Sequence, residues 1–256
     1  MEELYAEYNR REYVSPDPLE FLYRYDSAAD REVVGLIASS LAYGRVASIL
    51  SSVAKVLALL GAHPADTLAS MPGDVLASKL VGFRHRFCGA DELAAFLAGI
   101  GAALVQFGSL EKLFRSFGCE GTAERMDRFS RALLSRTGLA ASHLLPCASK
   151  GSACKRLALY LRWMVRTDDV DPGGWLCVRP EEILLPLDTH MFRIARSLGL
   201  TTRNAADMRA AVQATEAFRK LNPLDPVKYD FALTRFGIRS GLSVDDLLAR
   251  FRYPEK

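Results

Sequence analysis

The stretch SAADREVVGLIASSLAYGRVASILSSVAKVLALLG, residues 27–61, decides the fold class. Ser27 followed by Asp30 is a capping-box pattern, and Val33, Ile37 and Leu41 then recur on one helical face. The pattern breaks at Tyr43-Gly44. It restarts at Arg45, where Val46, Ile49, Leu50, Val53, Val56, Leu57 and Leu60 form a wide apolar stripe that Gly61 ends.

The same grammar extends in both directions. His63-Pro64 opens a short helical turn, and Asp91 is placed to cap a helix over 92–107 that Gly108 stops. Shorter helices are expected over 110–117 and 123–136, each followed by glycine. A longer one is expected from Ser152 to Arg166. Asp188 caps 189–198, another helix runs over 207–221, and Asp225-Pro226 signals the start of one ending at Gly237. Ser243 and Asp246 form a last capping box. The one irregular insertion is TDDVDPGGWLCVRPEE, residues 167–182, which reads as a loop with a 3₁₀ turn or as a lid. Strand-like alternation is almost absent, so the expected fold is all-α. The expected organisation is a bundle lobe over 30–142, with 1–29 and 143–256 forming a second lobe and the site in the cleft between them.

Bulk properties narrow the function classes. Half of the 256 residues are hydrophobic and a quarter charged, as a folded chain requires. Lys and Arg exceed Asp and Glu by 33 to 30, which permits a polyanionic partner without arguing for one. The polar start MEELYAEYNRRE is unlike a secretory signal, and no stretch looks apolar enough to cross a bilayer. Cysteines at 88, 119, 147, 154 and 177 are odd in number, widely spaced and without a CxxC. That argues against a disulfide framework or a zinc site, and a monomer in the cytoplasm is expected.

The chemistry concentrates around Lys155 and Asp188. At 100° per residue Arg162 and Arg166 fall within about 20° of Lys155 on the wheel, with Leu157, Tyr160, Leu161 and Met164 opposite. From Pro146 to Thr167 there are five basic residues, Lys150, Lys155, Arg156, Arg162 and Arg166, and no acidic one. A solvated helix face is the ordinary account of such a stripe, but it would normally carry acidic partners at i,i+4. Asp188 reads as an N-cap, yet it is reached through the apolar run Ile183 to Leu187, with Arg193 beyond it.

Together these elements resemble the helix-hairpin-helix DNA glycosylase superfamily. The string PLDTHMFRIARSLGL, residues 186–200, looks very like that family's aspartate motif. SLAYGR, residues 40–45, is similar to its DNA-facing turn, and Gly82-Phe83-Arg84 to a later glycine-containing turn. Two departures stand out. The usual Leu-Pro-Gly-x-Gly hairpin is replaced by LPCASKG, residues 145–151, and Lys155 precedes Asp188 by 33 positions, a span similar to that of an archaeal 8-oxoguanine glycosylase branch. Across nearly the whole chain the sequence also looks like an uncharacterised bacterial family, in GSACKR (151–156), LRWMVR (161–166) and DPVKYDF (225–231).

The glycosylase resemblance implies Lys155 as amine nucleophile, or else Lys150 at a conventional hairpin position, with Asp188 as the supporting carboxylate. It implies DNA contacts from Lys150, Arg156, Arg162, Arg166, Arg45, Arg84 and Arg193, with Tyr43 as a wedge. His190 and Trp175 are supporting candidates. The partner would be duplex DNA containing a damaged base. No metal or other cofactor is expected, nor an iron–sulfur cluster, since no cysteine follows Cys177. The competing readings are a DNA-binding protein without catalysis and a purely structural helical domain.

Overall fold

The computed structural model describes residues 1–118, 121–238 and 241–252, with the side chain of Arg252 left aside. Cys119 lies outside the described residues. The fold is almost entirely α-helical, with one small two-stranded sheet. In chain order the elements are α1 (Glu2–Tyr8), α2 (Ala28–Ser40), α3 (Val46–Leu60), α4 (Pro64–Ser70), α5 (Gly73–Lys79), β1 (Arg84–His85), β2 (Cys88–Gly89) and α6 (Ala90–Phe107). They continue with α7 (Leu110–Arg115), α8 (Thr122–Thr137), α9 (Lys155–Val165), α10 (Thr189–Ser197), α11 (Met208–Arg219), α12 (Asp230–Ile238) and α13 (Val244–Arg252).

Several caps act as the residue types demand. Ser27 Oγ accepts from Asp30 N, Asp188 from Met191 N at 2.7 Å, and Asp207 from Ala210 N at 2.8 Å. Ser243 and Asp246 bond reciprocally. Each such cap is worth about 0.5–2 kcal/mol. Two expected starts are corrected. Helix α6 begins at Ala90 behind Gly89, so Asp91 lies inside the first turn rather than capping it. The Asp225 carboxylate is taken by the Arg166 guanidinium at 3.0 Å, and α12 begins only at Asp230.

A single apolar cluster runs from Leu4 to Leu247. At its centre α2 packs along α9, and α6 packs against α4, α5 and α8. Helix α6 has 18 residues and a mean hydropathy of 1.4, long and apolar enough by composition to span a bilayer, which corrects the sequence expectation. Half of it is buried in this fold. Its close approach to α4 depends on Gly101, where an added Cβ would fall 2.2 Å from the Leu68 carbonyl oxygen.

Residues 167–182 are anchored to the body of the molecule. Gly173 N and Trp175 N donate to the Trp163 and Met164 carbonyls. Trp175 is buried against Phe114, Phe129 and Tyr160, and its Nε1 donates to Glu32 Oε2 at 3.0 Å. Glu32 also accepts from Leu110 N and Glu111 N, at the first turn of α7. Trp175 is therefore a core side chain, not a pocket wall. Cys88, Cys147 and Cys154 are buried as free thiols and Cys177 is half-buried, also free.

Candidate active site

Helix α9 starts three residues later than its sequence suggests. Gly151 at φ 82° turns the chain, Ser152 Oγ accepts from Cys154 N, and Cys154 itself holds φ 47°. A left-handed conformation at a non-glycine residue is uncommon and strained. It swings the backbone so that Lys155 becomes the first helical residue. On the other side, Ile183, Leu184, Leu185 and Leu187 are buried, and Leu185 N donates to Thr215 Oγ1. That buried run delivers Asp188 to the start of α10.

Two helix N-termini thus meet. Lys155 Nζ lies 3.5 Å from Asp188 Oδ2, with the lysine side chain 33% exposed and the aspartate 18%. Both are reachable from solvent. Behind them lies Asp230, fully buried and paired with Arg162. Burial raises the Asp230 carboxyl above its ordinary range, and the nearby Asp188 charge pushes the same way against the Arg162 guanidinium.

The cationic stripe divides sharply along the helix. Arg162 is 3% exposed and pairs with Asp171 at 3.1 Å and with Asp230. Arg166 is equally buried and reaches Asp168, Asp171 and Asp225. Burial opposes charge on both guanidiniums, but the surrounding carboxylates outweigh it and raise both above the usual range. Neither arginine is available to a phosphate. That corrects their assignment to DNA contact: the missing acids are supplied by other segments.

Two further expectations change. Arg156 donates to the carbonyls of Ser40 and His143 and lies over the Tyr43 ring at 5.0 Å, so it braces loops instead of facing solvent. Tyr43 is half-buried, donates through its hydroxyl to His85 O at 3.1 Å, and packs edge-on against the His85 ring. Burial pushes its phenol up to about 12. It is fastened in place, unlike a side chain free to enter a base stack.

His85 was not singled out by its sequence context, yet it is 2% exposed and central. Its Nδ1 meets Ser52 Oγ at 2.9 Å and its Nε2 meets Tyr43 O at 3.1 Å. Burial lowers its proton affinity, which suits a neutral ring that donates from Nε2 and accepts at Nδ1.

The remaining candidates stay exposed. Lys150 sits on a 3₁₀ turn, Ala148–Lys150, and makes no ion pair among the described residues. Arg45 precedes α3, Arg84 lies on β1 and Arg193 on α10, all solvent-facing. His190 is exposed and close to α12, where a Cβ added at Gly237 would lie 2.8 Å from its ring. Among the described residues no His, Cys, Asp and Glu group is arranged to hold a metal ion. One cavity of about 1100 Å³ is lined by Glu2, Glu3, Glu7, Leu221, Tyr229 and Arg250 among others. Another, of about 290 Å³, is lined by residues including Arg11, Tyr23 and Arg31. Lys155 and Asp188 line neither.

Residues 17–239 match the family described as a protein of unknown function, DUF2400, and the chain belongs to that family. Comparison with curated proteins and with solved structures gave no match.

Proposed function

We propose that this chain is a DNA base-excision enzyme of the glycosylase/lyase type, acting through Lys155 with Asp188 as its supporting carboxylate. The observation that carries the reading is the 3.5 Å approach of Lys155 Nζ to Asp188 Oδ2 at two helix N-termini, both open to solvent. A lysine attacks as the free amine, and an adjacent carboxylate can accept the proton it gives up. The amine nitrogen would bond to the sugar C1′ as the bond from C1′ to the base breaks. Ring opening then yields a Schiff base, and loss of a C2′ proton breaks the C3′–O bond. Asp188 would stabilise the positive charge that develops on the sugar. Exposed Lys150, Arg45, Arg84 and Arg193 are the candidate phosphate contacts. The damaged nucleotide has to leave the stack to reach the amine. Oxidised bases, 8-oxoguanine first, are the substrates to try.

A binding protein without turnover is the second reading. It is favoured by the altered hairpin, where a 3₁₀ turn at Ala148–Lys150 stands in place of the glycine-rich loop that presents N–H groups to phosphate.

Borohydride trapping on duplexes carrying oxidised bases or abasic sites separates the two. The expected result is a covalent adduct that persists in Lys150→Ala and vanishes in Lys155→Ala. An adduct surviving Lys155→Ala removes the assignment, and DNA retention with no adduct on any duplex supports the binding reading.

A further inference from the structure

The hairpin between α5 and α6 presents an aromatic side chain that the Lys155 site does not use. Pairing of Arg84 with Gly89 and of His85 with Cys88 leaves Arg86 and Phe87 as the two loop residues. Arg86 takes φ 53°, which sharpens the turn, and Phe87 at its tip is 69% exposed. The root of the hairpin is rigidly held. His85 is buried between Ser52 and Tyr43, Cys88 is fully buried, and Tyr43 returns a hydrogen bond to the His85 carbonyl. Arg156 then ties Tyr43 to the carbonyls of Ser40 and His143. A large apolar ring is thus carried into water on a braced support.

Its surroundings are cationic. The Arg86 guanidinium lies 5.4 Å from the Phe87 ring, the His143 ring is 6.0 Å away, and Arg84 and Arg45 are exposed nearby in the same hairpin and the adjoining turn. Exposed Asp91 follows β2, and Glu92 is occupied by Ser142 Oγ and His143 N. Three arginines therefore outnumber the one free acid. A single ring framed by guanidiniums complements a polyanion with flat bases. A lipid-inserting surface would need a wider apolar patch, and Val81 is the other strongly exposed large apolar residue of this segment.

We infer that Phe87 stacks on an unpaired or unstacked base of a nucleic acid whose phosphates are held by Arg84, Arg86 and Arg45. This rests on the DNA-binding half of the reading above, though not on its lyase chemistry. It also assigns the aromatic role to Phe87, since Tyr43 is fastened beneath it.

The test is direct binding to duplex DNA containing a one-nucleotide gap, by the full chain and by Phe87→Ala, Phe87→Tyr and Phe87→Trp. Because the side chain is exposed, the variants should melt with the wild type. Losing one stacked base weakens binding about 5- to 150-fold. The expected result is a loss in that range for Phe87→Ala, near-wild-type affinity for Phe87→Tyr, and quenched emission of the Phe87→Trp variant on saturation. Equal affinity of Phe87→Ala and wild type, or unchanged emission in the saturated Phe87→Trp complex, overturns the inference while leaving Lys155 chemistry standing. No binding by the wild type overturns both. Phosphatidylglycerol vesicles shifting the Phe87→Trp emission where DNA does not would make the hairpin a membrane contact and overturn it as well.

Discussion

The two ends of α9 carry the same sign of charge into opposite surroundings. Lys155, at the first turn, faces one carboxylate at 3.5 Å and remains a third exposed. Arg162 lies two turns on, and Arg166 follows the last turn. Both are 3% exposed, and together they face four carboxylates, Asp168, Asp171, Asp225 and Asp230. Two buried guanidiniums face these four carboxylates, and the buried Arg235 adds positive charge near Asp230. Burial pushes Asp171 up to about 6, with the Asp168 charge adding to it, although Arg162 and Arg166 oppose it. The lesson is one of distance. A helical wheel places three cations on one stripe, but what they meet is decided by residues up to 68 positions away.

The largest effect should come from breaking the buried end. Arg166→Ala strands the carboxylates of Asp168 and Asp225, leaves Asp171 with Arg162 alone, and should cost about 3–5 kcal/mol, read as a lower urea midpoint. A loss under about 1 kcal/mol would mean that water enters the cluster and that the two ends differ less than their burial suggests.

Acidity should probe the same cluster. The folded value of Asp171 lies above its ordinary 3.8, so its stabilising contribution is full below pH 3.8 and is lost as pH rises through about 6. Relative to Asp171→Asn, the wild type should gain stability on the order of 2 kcal/mol as pH falls from 7 to 4. Urea melts across that range measure it, and parallel curves for the two proteins would refute the shift.

At the open end, Asp188→Ala should cost about 0.5–2 kcal/mol by removing the cap on Met191 N, whereas Asp188→Asn keeps a capping oxygen and should cost less. Lys155→Ala should be smallest, at about 0–1 kcal/mol, because the pair is solvent-screened. If Lys155→Ala rivals Arg166→Ala in thermal unfolding, Lys155 is a structural residue and its proposed chemistry loses its footing.

What was legible in the sequence was whatever depends on near neighbours. Ser27, Asp188 and Ser243 are caps that act within three residues, and the apolar stripe of α3 follows from helical spacing alone. The meeting of Lys155 and Asp188 was also expected, through a resemblance in motif. The misread charged residues of the α9 stripe involve distant partners. Asp225 looked like a cap because nothing local shows that Arg166 claims it. Arg162 looked solvent-facing because Asp171 and Asp230 come from an irregular insertion and from α12. The hairpin of β1 and β2 was not expected because strands of two residues carry no periodicity to detect.

Glu32 has a consequence for the order of events during synthesis. Its carboxylate sits in the first turns of α2, but its partners are Leu110 N, Glu111 N and the indole of Trp175, 143 residues further on. At about 5–20 residues per second, a ribosome needs roughly 7–30 s to travel from Glu32 to Trp175. Through that interval the emerging helices hold a carboxylate whose burial is incompletely compensated, which disfavours premature closure of the core around α2. Glu32→Gln should relax that constraint, and nascent chains stopped before Trp175 should then resist protease better than wild-type chains of equal length.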